Sequence, residues 1–198
     1  MKMPYSVARL LASIAEDEAN QMGVPMAIAL TDAEGGLVLF GRMDGALPAS
    51  TELAVSKAFT AAVLRMPTDE LGKLAQPGGV LYGIEQSHHG RIVLLGGGLP
   101  VRLGGRVAGA IGISGGSVEQ DRVAARAAVE ALEQMEQWSN CIAADVPWDP
   151  AAAAAPLSEL ENMLRVEFEK AGQPLSSRSA AILAGAIVLT QARKRREQ

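Results

Sequence analysis

Residues 91–121, RIVLLGGGLPVRLGGRVAGAIGISGGSVEQD, constrain the fold more than any other stretch of the chain. An apolar run from Arg91 to Leu95 reads as a strand and meets three consecutive glycines, Gly96 to Gly98. Pro100 and a short apolar segment follow, then Gly104-Gly105, then a second strand from Val107 to Ile113. Short β runs joined by Gly-Gly form a hairpin pattern. Glycines on both sides make backbone the local surface, because only glycine enters positive φ without steric cost. Ser114-Gly115-Gly116 closes the second strand, and a helix begins near Ser117 with Asp121 in its first turns. Neither G-x-x-x-x-G-K-[ST] nor a well-placed G-x-G-x-x-G is present, so a nucleotide phosphate loop is excluded. Two readings of the Ser114–Ser117 turn stay open: free amides at a helix N-terminus suited to a carboxylate, or sharp turns with Ser117 as N-cap. On the first, Gly97, Gly98, Ser114 and Gly115 are the candidate backbone contacts of an anionic organic ligand.

Before this stretch the chain reads as helix, hairpin, helix. Residues 4–22 place Val7, Leu10, Leu11, Ile14 and Ala15 on one face. Gly23 stops that helix, and Pro25 opens a strand from Met26 to Leu30. Asp32 to Gly36 has the composition of a hairpin loop, and its partner strand runs from Leu37 to Met43. A second helix follows, with Ser50 or Thr51 as expected N-cap and Glu52 in its first turn. Leu53, Ser56, Lys57, Thr60, Ala61 and Leu64 share a face of it. A lysine there is costly unless partnered. It can pair with an acid such as Glu52 or Asp44, snorkel to the surface, or meet a ligand carboxylate. On the last alternative, Lys57→Met removes ligand binding and spares the fold. Pro67 ends the helix, and Thr68-Asp69-Glu70 caps a short one to about Ala75.

A turn at Gln76-Pro77-Gly78-Gly79 leads through Tyr82 and Glu85 to Ser87-His88-His89-Gly90, which holds both histidines of the chain. Adjacent histidines on a strand point apart and do not share a metal, whereas in a loop they can. No Cys, His, Asp or Glu lies near them at zinc-like spacing, so no closed metal site is expected. The alternatives are a polar loop, a general acid/base, or an axial haem ligand beside the glycine-rich hairpin.

The 198 residues suffice for one well-cored domain with an extension, or two small domains. With 48% hydrophobic but only 4% aromatic residues, the core must be built of close-packed Ala, Val, Leu and Ile. A net charge of −4 with basic residues scattered until the tail speaks against a nucleic-acid binder. Cys141 is the only cysteine, which excludes an intramolecular disulfide and a Cys-based zinc site. No run reaches the ~18 apolar residues of a membrane span. The first residues read as an amphipathic helix rather than a signal peptide, so a cytoplasmic protein is expected.

Residues 117–138 form a strong helix rich in alanine. Composition then shifts: 1–140 reads as the principal domain, 141–155 as a Pro/Ala-rich linker, and 156–198 as a helical arm. In the arm, one helix runs from Pro156 to about Ala171. A second, capped by Ser176 or Ser177, has an apolar centre from Ala180 to Leu189 and ends in ARKRREQ. Such an arm suits oligomerisation, with a partner protein as the rival occupant.

The ordered set Arg42-x-Asp-Gly, Ser56-Lys57-Ala58, Pro67-Thr68, Gly96-Gly-Gly-x-Pro100 and GAIGISGGSVEQD (Gly109 to Asp121) resembles the GlcG/HbpS-like family, which includes the C-terminal domain of the PduO protein. The resemblance covers roughly residues 5–137. It implies an α/β (α+β) profilin-like fold, an antiparallel sheet flanked by helices, here with a C-terminal helical extension, assembled as dimers to octamers. It also implies a small-molecule-binding protein, with haem or a related tetrapyrrole as the possible cofactor. In one branch the iron ligand is a histidine of the first helix; none stands between residues 4 and 22, so His88 or His89 would have to supply it. Similar proteins are associated with lyase chemistry on hydroxylaminobenzoate, and this implies the alternative, a cofactor-independent lyase acting on an aromatic acid. For that reading Arg42 or Lys57 supplies the cation for the carboxylate. Lys57, Glu52, Tyr82, Glu85, His88 and His89 are the candidate catalytic groups.

Overall fold

Five consecutive buried residues, 27–31, begin β1 (Ala27–Asp32), and a strand so buried must be covered on both faces. The computed structural model describes residues 2–142, 157–170 and 183–187. In it β1 is central to a four-stranded antiparallel sheet of order β2-β1-β4-β3, with β2 at Leu37–Arg42, β3 at Gly98–Leu103 and β4 at Arg106–Ser114. Helix α1 (Tyr5–Met22) buries the expected Val7, Leu10, Leu11 and Ala15, and ends at Gly23 in the left-handed region. It packs on β1 and β2.

The second helix, α2 (Pro48–Leu64), lies across β1, β4 and β3. Its contact surface is built from small residues: Ala54 and Ala58 meet Ala27 and Ala29, while Ala61 and Ala62 meet Ala110. Opposite them β4 has Gly112, where a Cβ would run into the Ala54 carbonyl and the Ala58 amide. Backbone therefore approaches backbone, which an aromatic-poor core permits. The helix begins earlier than expected. Pro48 takes its first position, where no N–H is needed, and Ser50 is buried one turn inside rather than serving as N-cap.

Helix α3 (Thr68–Leu74) follows, then two 3₁₀ turns at Ile84–Gln86 and His88–Gly90. The apolar run 91–95, expected as a strand, is irregular. Its backbone groups are taken by helix side chains: the Val93 N–H donates to Thr60 Oγ1 (3.0 Å), and Leu95 O accepts from Thr68 Oγ1 (2.6 Å). Ile92 instead inserts beside Phe59 and Leu71. The hairpin strand begins only at Gly98. As an edge strand it tolerates Pro100, and Gly104 and Gly105, both at positive φ, make its turn.

Helix α4 (Val118–Ile142) follows β4. The chain divides into two compact units, Met1–Val129 and Glu130–Gln198, and the division falls within α4. In the second unit α5 spans Leu157–Lys170, residues 183–187 are helical, and Leu160, Ala184 and Ala186 are buried. Of the linker expected at 141–155, Cys141 and Ile142 belong to α4; the rest of it, the caps at 176–177 and the basic end of the last helix lie outside the described residues. No described helix is long and apolar enough to cross a membrane.

Candidate functional site

Glu52, Ser56 and Phe59 stand at i, i+4 and i+7 of α2 and so share one face. Opposite them runs the turn His88-His89-Gly90-Arg91, and these seven residues line an open groove of about 590 Å³. The turn is unusual in its backbone. His88 (φ 53°), His89 (φ 59°) and Gly90 (φ 77°) are successive left-handed residues, a conformation that costs a non-glycine residue roughly 1–2 kcal/mol. Hydrogen bonds from the Gly90 and Arg91 amides to Ser87 O and His88 O close it. The fixed turn then puts two side chains on the Phe59 ring. The Arg91 guanidinium stacks 4.0 Å from the ring centroid, and the His88 imidazole meets it edge-on at 5.7 Å and 65°. Phe59 is left only 8% exposed.

Of the residues expected at a site, Glu52, His88 and His89 are thus brought together, and the others are elsewhere. Lys57 is 1% exposed and pairs with neither Glu52 nor Asp44. Its partner is Asp121, with Nζ donating to Oδ2 at 2.6 Å and to Ile113 O at 2.8 Å. The other carboxylate oxygen, Oδ1, accepts the Gly116 N–H at 3.1 Å. Gly97 completes this lock. At φ 108°, a Cβ there would lie 2.7 Å from Ile113 O and 3.1 Å from Lys57 Nζ. Gly98 is fixed through its N–H to Thr68 Oγ1 at 3.0 Å.

Of the two readings left open for the turn after β4, the structure shows the sharp turn with Ser117 as cap. Ser114 is buried and pairs with Ala27, and Gly115 is pressed against Pro25 and Met26. Ser117 and Gln120 form a reciprocal cap: the Ser117 amide donates to Gln120 Oε1 (2.9 Å), and the Gln120 amide to Ser117 Oγ (3.3 Å). Gly97, Gly98, Ser114 and Gly115 therefore organise the interior and do not line the groove. Arg42 is exposed at the end of β2, and Tyr82 is exposed on the loop before the groove. Glu85 is half-buried in the preceding 3₁₀ turn, its Oε2 enclosed without a hydrogen-bond partner. Sequence reasoning missed Phe59 and Arg91 as site residues. The available signal was the i, i+7 spacing of Phe59 from Glu52.

Comparison with known proteins gives this geometry a lineage. The chain belongs to the HbpS-like family, described as haem degrading protein HbpS-like, which it matches over residues 3–130. An uncharacterized 15.0 kDa protein from the dhaT-dhaS intergenic region of Citrobacter freundii is 41% identical over 130 residues, covering 66% of this chain and 92% of that protein. The corrinoid adenosyltransferase PduO of Salmonella typhimurium is 42% identical over 122 residues, which are 62% of this chain but only 36% of PduO. A crystal structure of a PduOC:heme complex aligns with a TM-score of 0.63 and 38% identity, covering 66% of this chain and 94% of that one.

Proposed function

We propose that this chain binds haem, or a related tetrapyrrole, in the groove between α2 and the His88–Arg91 turn. One observation carries the reading: two imidazoles, a guanidinium and an aromatic ring converge on a single opening. Its volume of about 590 Å³ falls within the ~300–1,000 Å³ of small-molecule sites. The donor set fits the group. A haem iron takes an imidazole nitrogen, and its carboxylate side chains take a guanidinium through charge-assisted hydrogen bonds. His88 or His89 would hold the iron, and Arg91 a carboxylate. The buried ring of Phe59 supports both side chains from below. When bound, the group supplies redox and oxygen chemistry that the protein side chains lack. The membership of the HbpS-like family and the likeness to the PduOC:heme complex support the same reading.

The lyase alternative needs a cation for an aromatic carboxylate, assigned to Arg42 or Lys57. Lys57 is consumed by Asp121 and Arg42 is not part of the groove, so that reading is not carried forward. Residues 156–198 are proposed to be an oligomerisation arm, on the strength of the amphipathic α5 and the apolar residues beyond it.

Titrating haemin into the full chain tests the function. A saturable Soret shift at about one haemin per chain is expected. A linear, unsaturated response at micromolar protein would refute it.

A further inference from the structure

We infer that His88, through Nε2, is the iron ligand of this groove and that Ser87 is the positioning residue that sets its tautomer, an assignment that rests on the haem reading above. The Ser87 hydroxyl has one proton to give. Its Oγ lies 2.7 Å from the Ile84 carbonyl oxygen, which can only accept, so the proton is committed there. The same Oγ lies 3.1 Å from His88 Nδ1 and has only lone pairs left to offer. Nδ1 must therefore carry the hydrogen and donate it. In a neutral imidazole the other nitrogen is then bare. A ring held through Nδ1–H with a free Nε2 electron pair is the state in which histidine ligates a metal.

The two histidines are not equivalent in this respect. His88 is held twice, by Ser87 and by the edge-on contact with Phe59. Among the described residues His89 has neither a hydrogen bond nor a ring contact. The strained turn adds a reason for the difference. Left-handed φ values at two successive non-glycine residues persist only where the surroundings over-determine them. The surroundings here fix the His88 ring. His89 is the residue that lets the chain turn back to Arg91.

The test reads the ring nitrogens first and the iron second. Long-range ¹H–¹⁵N spectra of the full chain without haemin should show His88 protonated at Nδ1. Ser87→Ala should abolish that state, and Ser87→Thr, which keeps the hydroxyl on an extended residue, should restore it. On haemin titration Ser87→Ala should bind about 10–100-fold more weakly, the usual effect of losing the group that orients a metal-bound histidine. His88→Ala should lose the imidazole-ligated visible spectrum, and His89→Ala should retain it. An Nε2–H tautomer at His88 in the unsubstituted protein overturns the assignment without any variant. Normal ligation in His88→Ala, or its loss in His89→Ala, overturns it while the haem reading stands. Absence of saturable haemin binding by the unsubstituted chain overturns both.

Discussion

Lys57→Met separates a structural lysine from a ligand-binding one. The substitution leaves the Asp121 carboxylate 4% exposed with the Gly116 amide as a remaining partner, and takes a donor from Ile113 O. Removing one partner of a buried ion pair costs about 3–5 kcal/mol, because the other charge stays desolvated. For a chain of 198 residues each kcal/mol is worth roughly 2–4 °C in Tm, so the midpoint should fall by roughly 6–20 °C. Thermal unfolding followed by circular dichroism measures this. A Lys57→Met/Asp121→Leu double variant, with both charges gone, should recover most of the loss. Haemin affinity of the single variant, measured well below its midpoint, should be unchanged. A single variant within about 0.5 kcal/mol of the parent, the range of ordinary surface substitutions, would refute the buried-pair account. So would a double variant that merely sums two large losses.

Gly97→Ala should destabilise by about 1–3 kcal/mol through crowding against Ile113 O and Asp121 Cβ, with about 1–3 kcal/mol more from its φ of 108°; urea midpoints check both. Arg91→Ala should weaken haemin binding by roughly 10-fold or more, from about 1.5–3 kcal/mol for a charged hydrogen bond. It should change the affinity for the dimethyl ester of haemin far less, and equal losses for the two ligands would remove Arg91 from the carboxylate position. Truncation after Cys141 is expected to lower the number of chains per assembly in sedimentation equilibrium, and an unchanged number would dispose of the oligomerisation arm.

Local pattern carried most of the fold into the sequence. The 3.6-residue spacing of Val7, Leu10, Leu11 and Ala15, the Asp32–Gly36 turn, the Gly104-Gly105 hairpin and the Ser117 cap are each decided by residues a few positions apart, and the structure shows each of them. Residues 91–95 misled because an apolar run reads as a strand whatever bonds its backbone. There the partners are Thr60 and Thr68, about thirty positions away in the chain. The site was legible in the same uneven way. His88, His89 and Glu52 were visible as reactive types, and the structure brings them to one groove. That Lys57 belongs to Asp121, 64 residues on, depends on β4 passing beneath α2. The glycines around it were open to a ligand reading because sequence does not reveal whether an exposed backbone faces solvent or another backbone.

The most direct measurement is a haemin titration of the full chain and of a His88→Ala/His89→Ala variant, read from the Soret band. The account predicts saturable binding with an imidazole-ligated spectrum for the parent, and loss of that spectrum in a variant that keeps its far-ultraviolet circular dichroism. No saturable binding by the parent, or the same spectrum and affinity without either histidine, would contradict it.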